Sequence, residues 1–372
     1  TVEVTGDRPE GQIAIDQRGG PFTPRTRPAM TRKQINLALQ GGGAHGAFTW
    51  GVLDRLLREP SIEIAGISGT SAGALNGAAL KAGLAEGSRD LARENLEWLW
   101  QQMGAITDLR FAGWLDAASP SAISQIIEAS LPFAMSDALS RVVSPYAYGP
   151  FYQNPLEPVV RRFHYDEVCG EAGPVFRICA TNVRTGKIRV FSGHEITSNA
   201  ILASACLPTL FQAVEITDPV TGMDEAYWDG GYTGNPALFP LFAPDLPPDI
   251  VIVNINPLYR EDVPKTARAI QNRINEIGFN TSLLRELRAI SFVQRLLADG
   301  ALSPGTMKNI HVHMIADDDL MAQLSVATKT VPVPQVLYKL RDAGERACDR
   351  FLERHGEDIG TRGSADLAAM FG

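Results

Sequence analysis

Three observations in the sequence predict a three-layer α/β/α sandwich around a mainly parallel sheet. Two successive stretches run strand, glycine turn, helix; further apolar runs of strand length recur downstream; and a long helical stretch covers about Thr266 to Leu297. Consecutive β-turn-α units imply parallel strands, because each helix carries the chain back across the sheet.

The first unit is Ile35-Asn36-Leu37-Ala38-Leu39-Gln40, broken at Gly41-Gly42-Gly43 and followed by helical spacing of apolar residues from Ala44 to Arg58. The second is Ile62 to Ser68, the turn Gly69-Thr70-Ser71-Ala72-Gly73, and a helix of small residues from Ala74 to Leu84 that can pack closely on a sheet. Val175 to Val183, Lys187 to Phe191, Ile250 to Ile255 and Ile310 to Ile315 supply further strands. In the long helix, Ile274, Ile277, Leu283, Leu284, Leu287 and Ile290 read as core in preference to a membrane-binding face.

Residues 1–30 are rich in Gly, Pro, Arg and Thr without periodicity and are expected to be a flexible arm, leaving 31–372 as a single domain. Within it, residues about 104–165 carry Phe111, Trp114, Phe133, Tyr146, Tyr148, Phe151 and Tyr152 without a clean period, which predicts an insertion outside the sheet core. The insertion reads equally as a lid or acyl-chain groove and as packing over a sheet edge.

With 45% hydrophobic and 20% charged residues in 372, the chain has the material for a globular core. A net charge of -8 and a pI near 5.4 disfavour nucleic acid as a partner, while a lipid surface could still be met through a local patch. Cys169, Cys179, Cys206 and Cys348 are scattered and read as free thiols. His311 and His313 alternate onto one strand face, but no acidic or cysteine ligands flank them at metal spacing, so no metal is expected. No stretch approaches the roughly 20 apolar residues of a membrane span. The expectation is a cytoplasmic protein with peripheral membrane contact at most; since the chain opens on Thr1, a targeting segment ahead of it stays open.

Gly69-Thr70-Ser71-Ala72-Gly73 fits G-x-S-x-G. A nucleophilic serine must stand clear of the backbone on a sharp strand-to-helix turn, and flanking glycines remove the clashes that such a turn creates. The helix start beside it aims free N–H groups at a developing oxyanion. Gly41-Gly42-Gly43-Ala44-His45-Gly46 reads as a second backbone N–H cradle, and its spacing matches neither of the common phosphate-loop patterns. No histidine lies where it would complete a triad with conviction: His45 suits loop packing, and His164, His194 and His355 sit in no comparable turn. Asp229, before Gly230-Gly231 at a strand end, could face Ser71 as a carboxylate base, or could be an ordinary turn aspartate.

Taken together and in this order, the GGGAHG turn, the GTSAG turn, the segment Ala203-Ser204-Ala205-Cys206-Leu207-Pro208 and the later Asp229-Gly230-Gly231 resemble the patatin-like phospholipase family of lipid acyl hydrolases, over about Gln34 to Pro257. The resemblance implies a Ser71–Asp229 dyad without histidine, an oxyanion hole from Gly41, Gly42, Gly43 and Ala72, no cofactor, and a lipid or other ester substrate met at a membrane or lipid-droplet surface. A thioesterase or peptidase using the same dyad, or a non-catalytic lipid-binding scaffold, are the competing readings. The family's usual basic residue in the glycine-rich turn is His45 here, which weakens the implied preference for a substrate phosphate.

Overall fold

Strand β1 (Lys33–Leu39) leads through the glycine turn into helix α1 (Ala47–Leu57), and β2 (Ile62–Thr70) leads through Ser71 into α2 (Ala72–Ala85). These two units come first in a computed structural model that describes residues 32–106, 118–131, 133, 135, 142–219, 221–303 and 305–371. Residues from Arg32 onward form one compact unit. The predicted arm over residues 1–30, with Phe111 and Trp114 of the predicted insertion, lies outside the described residues.

Helices α3 (Arg89–Ile106) and α4 (Pro120–Ala129) follow, then β3 (Val175–Asn182), β4 (Ile188–Ser192), α5 (Ser198–Ser204), β5 (Val214–Thr217), β6 (Asp224–Asp229) and β7 (Asp249–Val253). The chain continues through α6 (Ala267–Ala298), β8 (His311–Ile315), α7 (Val326–Thr330) and α8 (Pro334–His355). The sheet order is β5-β6-β3-β2-β1-β7-β8, with β4 added on β3. The β3-β2-β1-β7-β8 core is parallel, whereas β4, β5 and β6 pair antiparallel, so the sheet is mixed and mainly parallel as expected.

Side-chain alternation assigns the two covering layers. Leu37, Leu39, Val251, Val253 and Ile67 point into a core shared with α1, α2, α3 and α8. Ala38, Ile250, Ile252 and Val312 point into the opposite core, with Leu283, Leu287 and Ile290 of α6. Helix α8, which the sequence reading did not single out, packs along α1 through Val336, Leu337, Leu340, Ala343, Ala347 and Phe351. Helix α6 divides along its length: its later turns are core, as predicted, but Ile274 and Ile277 are 56% and 53% exposed.

Strand succession places the site. From β1 the chain moves outward to β2 and then β3, and later returns to β7 on the other side of β1. The loops after β1 and β7 therefore diverge above a crevice at the carboxyl ends of the strands, where open α/β sheets bind ligands. At the opposite ends of β7 and β8, His311 and His313 do share a face, and both meet Asp249: His313 Nε2 lies 3.0 Å and His311 Nδ1 3.4 Å from its carboxylate. Asp249 also accepts the Gly360 N–H, and no cluster of three or more potential metal ligands occurs among the described residues.

Candidate active site

Ser71 takes φ 55° and ψ -120°, the one non-glycine residue with positive φ among those described. A residue with a side chain is rare there and is held only where its surroundings fix it. Two constraints fix it here. The Ser71 N–H donates to Ser204 Oγ at 2.9 Å, and Ser204 Oγ donates to the Cys179 carbonyl at 2.6 Å. On the other side, a side chain at Gly73 would strike the Leu39 carbonyl, so only glycine lets the first turn of α2 lie this close to β1. Ser204 belongs to the Ala203–Pro208 segment noted in the sequence, where nothing marked it as the brace of the serine turn.

The route by which Asp229 reaches Ser71 lies in the edges of β3. Strand β4 covers Arg177–Thr181 along one edge. The opposite edge carries β2 up to the pairing of Thr70 with Cys179, and then carries β6 from the pairing of Asp229 with Ala180. Where β2 leaves the edge and turns at Ser71, β6 arrives and ends at Asp229. One β3 step thus brings together two residues 158 positions apart (229 minus 71).

Asp229 is fixed at its backbone by Thr181 Oγ1, which donates to its carbonyl at 2.8 Å, and by its own N–H, which donates to the Cys206 carbonyl at 2.8 Å. Its carboxylate accepts the Gly231 N–H at 2.7 Å, and the Ser71 hydroxyl is close enough to favour its ionised form. The side chain is 1% exposed, and burial lifts its pKa from 3.8 to about 7, against the lowering effect of those two donors.

The glycine turn lies edge-on to the serine: a Cβ on Gly41 would sit 2.7 Å from Ser71 Cβ. Of the oxyanion donors that the resemblance implies, Gly41 is already engaged, its N–H donating to Asn235 Oδ1 at 2.7 Å. The N–H groups of Gly42, Gly43 and Ala72 have no acceptor among the described residues. Gly43, at φ 58°, lies against the Lys329 carbonyl, where any side chain would collide.

Buried amides hold this turn. Gln40 Oε1 accepts the N–H groups of Ile255 and Asn256 at 2.9 and 3.0 Å, and Asn256 Nδ2 donates to the Gly41 carbonyl at 2.8 Å. None of these amides stood out in the sequence. His45 takes the packing role expected of it: 1% exposed, its Nε2 is 2.9 Å from Thr328 Oγ1, and burial together with the Lys329 ammonium holds its pKa well below the ordinary range. A neutral buried imidazole facing α7 is no base for Ser71.

Ser71, Asp229 and the three glycines open into one cleft of about 440 Å³. Phe133, Leu207, Leu210, Phe279 and Val326 give it apolar wall; Gln271, Asn272, Asn275, Arg268 and Lys329 give it polar wall. Phe133 thus brings part of the predicted insertion to the cleft, while Tyr146, Tyr148 and Phe151 are exposed.

Residues 37–242 match the patatin-like phospholipase domain. The chain belongs to the patatin-like phospholipase family. That domain match spans both glycine turns, Ser71 and Asp229, while the Asn256 and Lys329 side of the cleft lies beyond it. Among solved structures the chain is similar to VipD from Legionella pneumophila, at 15% identity and a TM-score of 0.40, covering 92% of this chain and 70% of that one. It is also similar to ExoU of the Pseudomonas aeruginosa type III secretion system, in its complex with SpcU, at 15% identity and a TM-score of 0.27, covering 91% and 65%. No curated protein sequence matches significantly. No helix among the described residues is long and apolar enough to cross a membrane.

Proposed function

We propose that this chain is a serine acyl hydrolase that cleaves carboxylic ester bonds of lipids through an acyl-enzyme on Ser71, with Asp229 as the base. The observation that carries the reading is the meeting of Ser71 and Asp229 at the floor of one cleft, with the carboxyl lifted by burial to about 7. A base of that pKa ionises near neutral pH yet binds a proton well enough to take one from an attacking hydroxyl.

In the first half-reaction Asp229 accepts the Ser71 proton as Oγ attacks the ester carbonyl carbon. The N–H groups of Gly42, Gly43 and Ala72 receive the oxyanion, with Gly41 as close contact and no longer a donor. Collapse of the tetrahedral intermediate expels the alcohol, which takes the proton from Asp229. Water then gives a proton to the same carboxylate and attacks the acyl group, and the second collapse releases the fatty acid and reprotonates Ser71. No step calls for a cofactor. The apolar wall from Leu207, Leu210 and Phe279 suits an acyl chain, which loses contact with water there.

The test is hydrolysis of p-nitrophenyl esters of graded chain length by the wild type, Ser71→Ala and Asp229→Asn, each checked for folding. Loss of activity in both variants is the expected result. Activity that survives Ser71→Ala, or is absent from the wild type on these esters and on lipids, would overturn the reading in favour of a non-catalytic lipid-binding role.

A further inference from the structure

Helix α7 places in the cleft wall a cation with no carboxylate at salt-bridge distance among the described residues. Lys329 lines the cleft, and its Nζ donates to Asn256 Oδ1 at 3.0 Å. An ammonium carries three donors, so two remain. The other cation lining the cleft, Arg268, is paired with Glu128 at 3.3 Å, whereas Lys329 has no carboxylate within salt-bridge distance among the described residues. Glu276, the acid that acts on it, is already held by Arg260 at 2.6 Å and Arg273 at 3.3 Å. Behind the wall, Glu276 is thus one carboxylate shared among Arg260, Arg273 and the more distant Lys329.

Burial lowers the Lys329 pKa, so its ammonium, held here by one amide oxygen, is costly to keep charged unless an anion joins it. The position of Lys329 says what that anion would do. Its backbone abuts Gly43, and its ammonium reaches the Gly41 carbonyl through a single amide, that of Asn256. A group bound at Lys329 would therefore sit beside the N–H cradle that faces Ser71.

We propose that Lys329 is the specificity-determining cation of the cleft, binding the anionic phosphoryl group on the alcohol side of the scissile ester, a role that the neutral His45 cannot fill. The inference rests on the acyl-hydrolase reading for its substrate, but not for the binding event. Lys329 touches the phosphoryl group and none of the reacting atoms, and Gln271, Asn272 and Asn275 add amide donors along the facing turns of α6.

The experiment compares Lys329→Met and Lys329→Arg with the wild type, each confirmed folded, on phosphatidylcholine and on diacylglycerol of the same acyl chains in the same neutral detergent micelles. Lys329→Met should lower the phosphatidylcholine-to-diacylglycerol ratio of kcat/KM by about tenfold or more, the range of a lost charge-assisted hydrogen bond, and Lys329→Arg should restore much of it. Equal loss on both lipids would make Lys329 structural and overturn the proposal.

A second arm needs no turnover: glycerophosphocholine and inorganic phosphate are titrated by calorimetry into Ser71→Ala and into Ser71→Ala with Lys329→Met. Lys329-dependent binding of glycerophosphocholine supports the proposal even if the wild type hydrolyses neither lipid. Binding of phosphate alone would overturn the lipid headgroup as the source, and no dependence on Lys329 would overturn the site itself.

Discussion

Replacing Asp229 with asparagine should abolish turnover and at the same time stabilise the fold, by an amount that depends on pH. The folded pKa of about 7 lies above the ordinary 3.8, so the folded state holds this proton more tightly than the unfolded chain does. Stability from the protonated form is fully present below pH 3.8 and is lost as pH rises to about 7. At roughly 1.4 kcal/mol per pKa unit, the ionised carboxylate costs the fold on the order of 4 kcal/mol above neutrality. Asparagine keeps an acceptor for the Gly231 N–H and carries no charge.

Asp229→Asn should therefore exceed the wild type in urea-denaturation stability at pH 8, and the gap should shrink by about 3 kcal/mol on going to pH 5. Glu286, also lifted to about 7 by burial, titrates in both proteins and cancels in the comparison. In the wild type, kcat/KM should rise about tenfold from pH 6 to pH 8 and fall to roughly 1% of its plateau at pH 5, following one ionisation near neutrality. A stability gap independent of pH, or full activity at pH 5, would refute the claim that desolvation tunes this carboxylate.

Other consequences are separately measurable. His45→Gln should leave the midpoint of the pH–activity profile near 7, because the buried imidazole is neutral throughout that range; a displaced midpoint would assign the ionisation to His45. Ser204→Ala removes the acceptor of the Ser71 N–H and should cost about 1–3 kcal/mol in chemical denaturation together with a lower kcat. Ser71→Gly should be more stable than Ser71→Ala by about 1 kcal/mol, since glycine tolerates the positive φ of this turn. Native protein should react with a thiol reagent at Cys169 alone: Cys206 and Cys348 are pushed up to about 12 by burial and Cys179 is raised the same way, so labelling at any of these three would contradict their placement.

The sheet and the two turns were legible because they are written locally. Short apolar runs, buried on both faces, mark β1 and β2, and glycines mark the points where the chain must turn sharply or lie against another backbone. Helix α8 was harder to read, since its buried residues from Val336 to Phe351 are spread among charged ones and emerge as a face only against α1. Exposed Ile274 and Ile277 were read as core because helical spacing alone does not say where a long helix leaves its sheet.

At the site, the residue types were readable and their meeting was not. The Ser71–Asp229 approach depends on β6 taking over an edge of β3 from β2, a feature of strand pairing with no sequence signature. Likewise Asn235, Asn256 and Lys329 are ordinary polar residues until the fold brings them to the glycine turn, where Asn235 takes the Gly41 N–H and Asn256 its carbonyl.

The most direct test of the acyl-enzyme account is labelling with an alkyl fluorophosphonate followed by peptide mass spectrometry. A single adduct on Ser71, formed faster as pH rises through about 7 and lost in Ser71→Ala, is the predicted result. Ester hydrolysis that continues while Ser71 stays unlabelled, or an adduct on another residue, would contradict it.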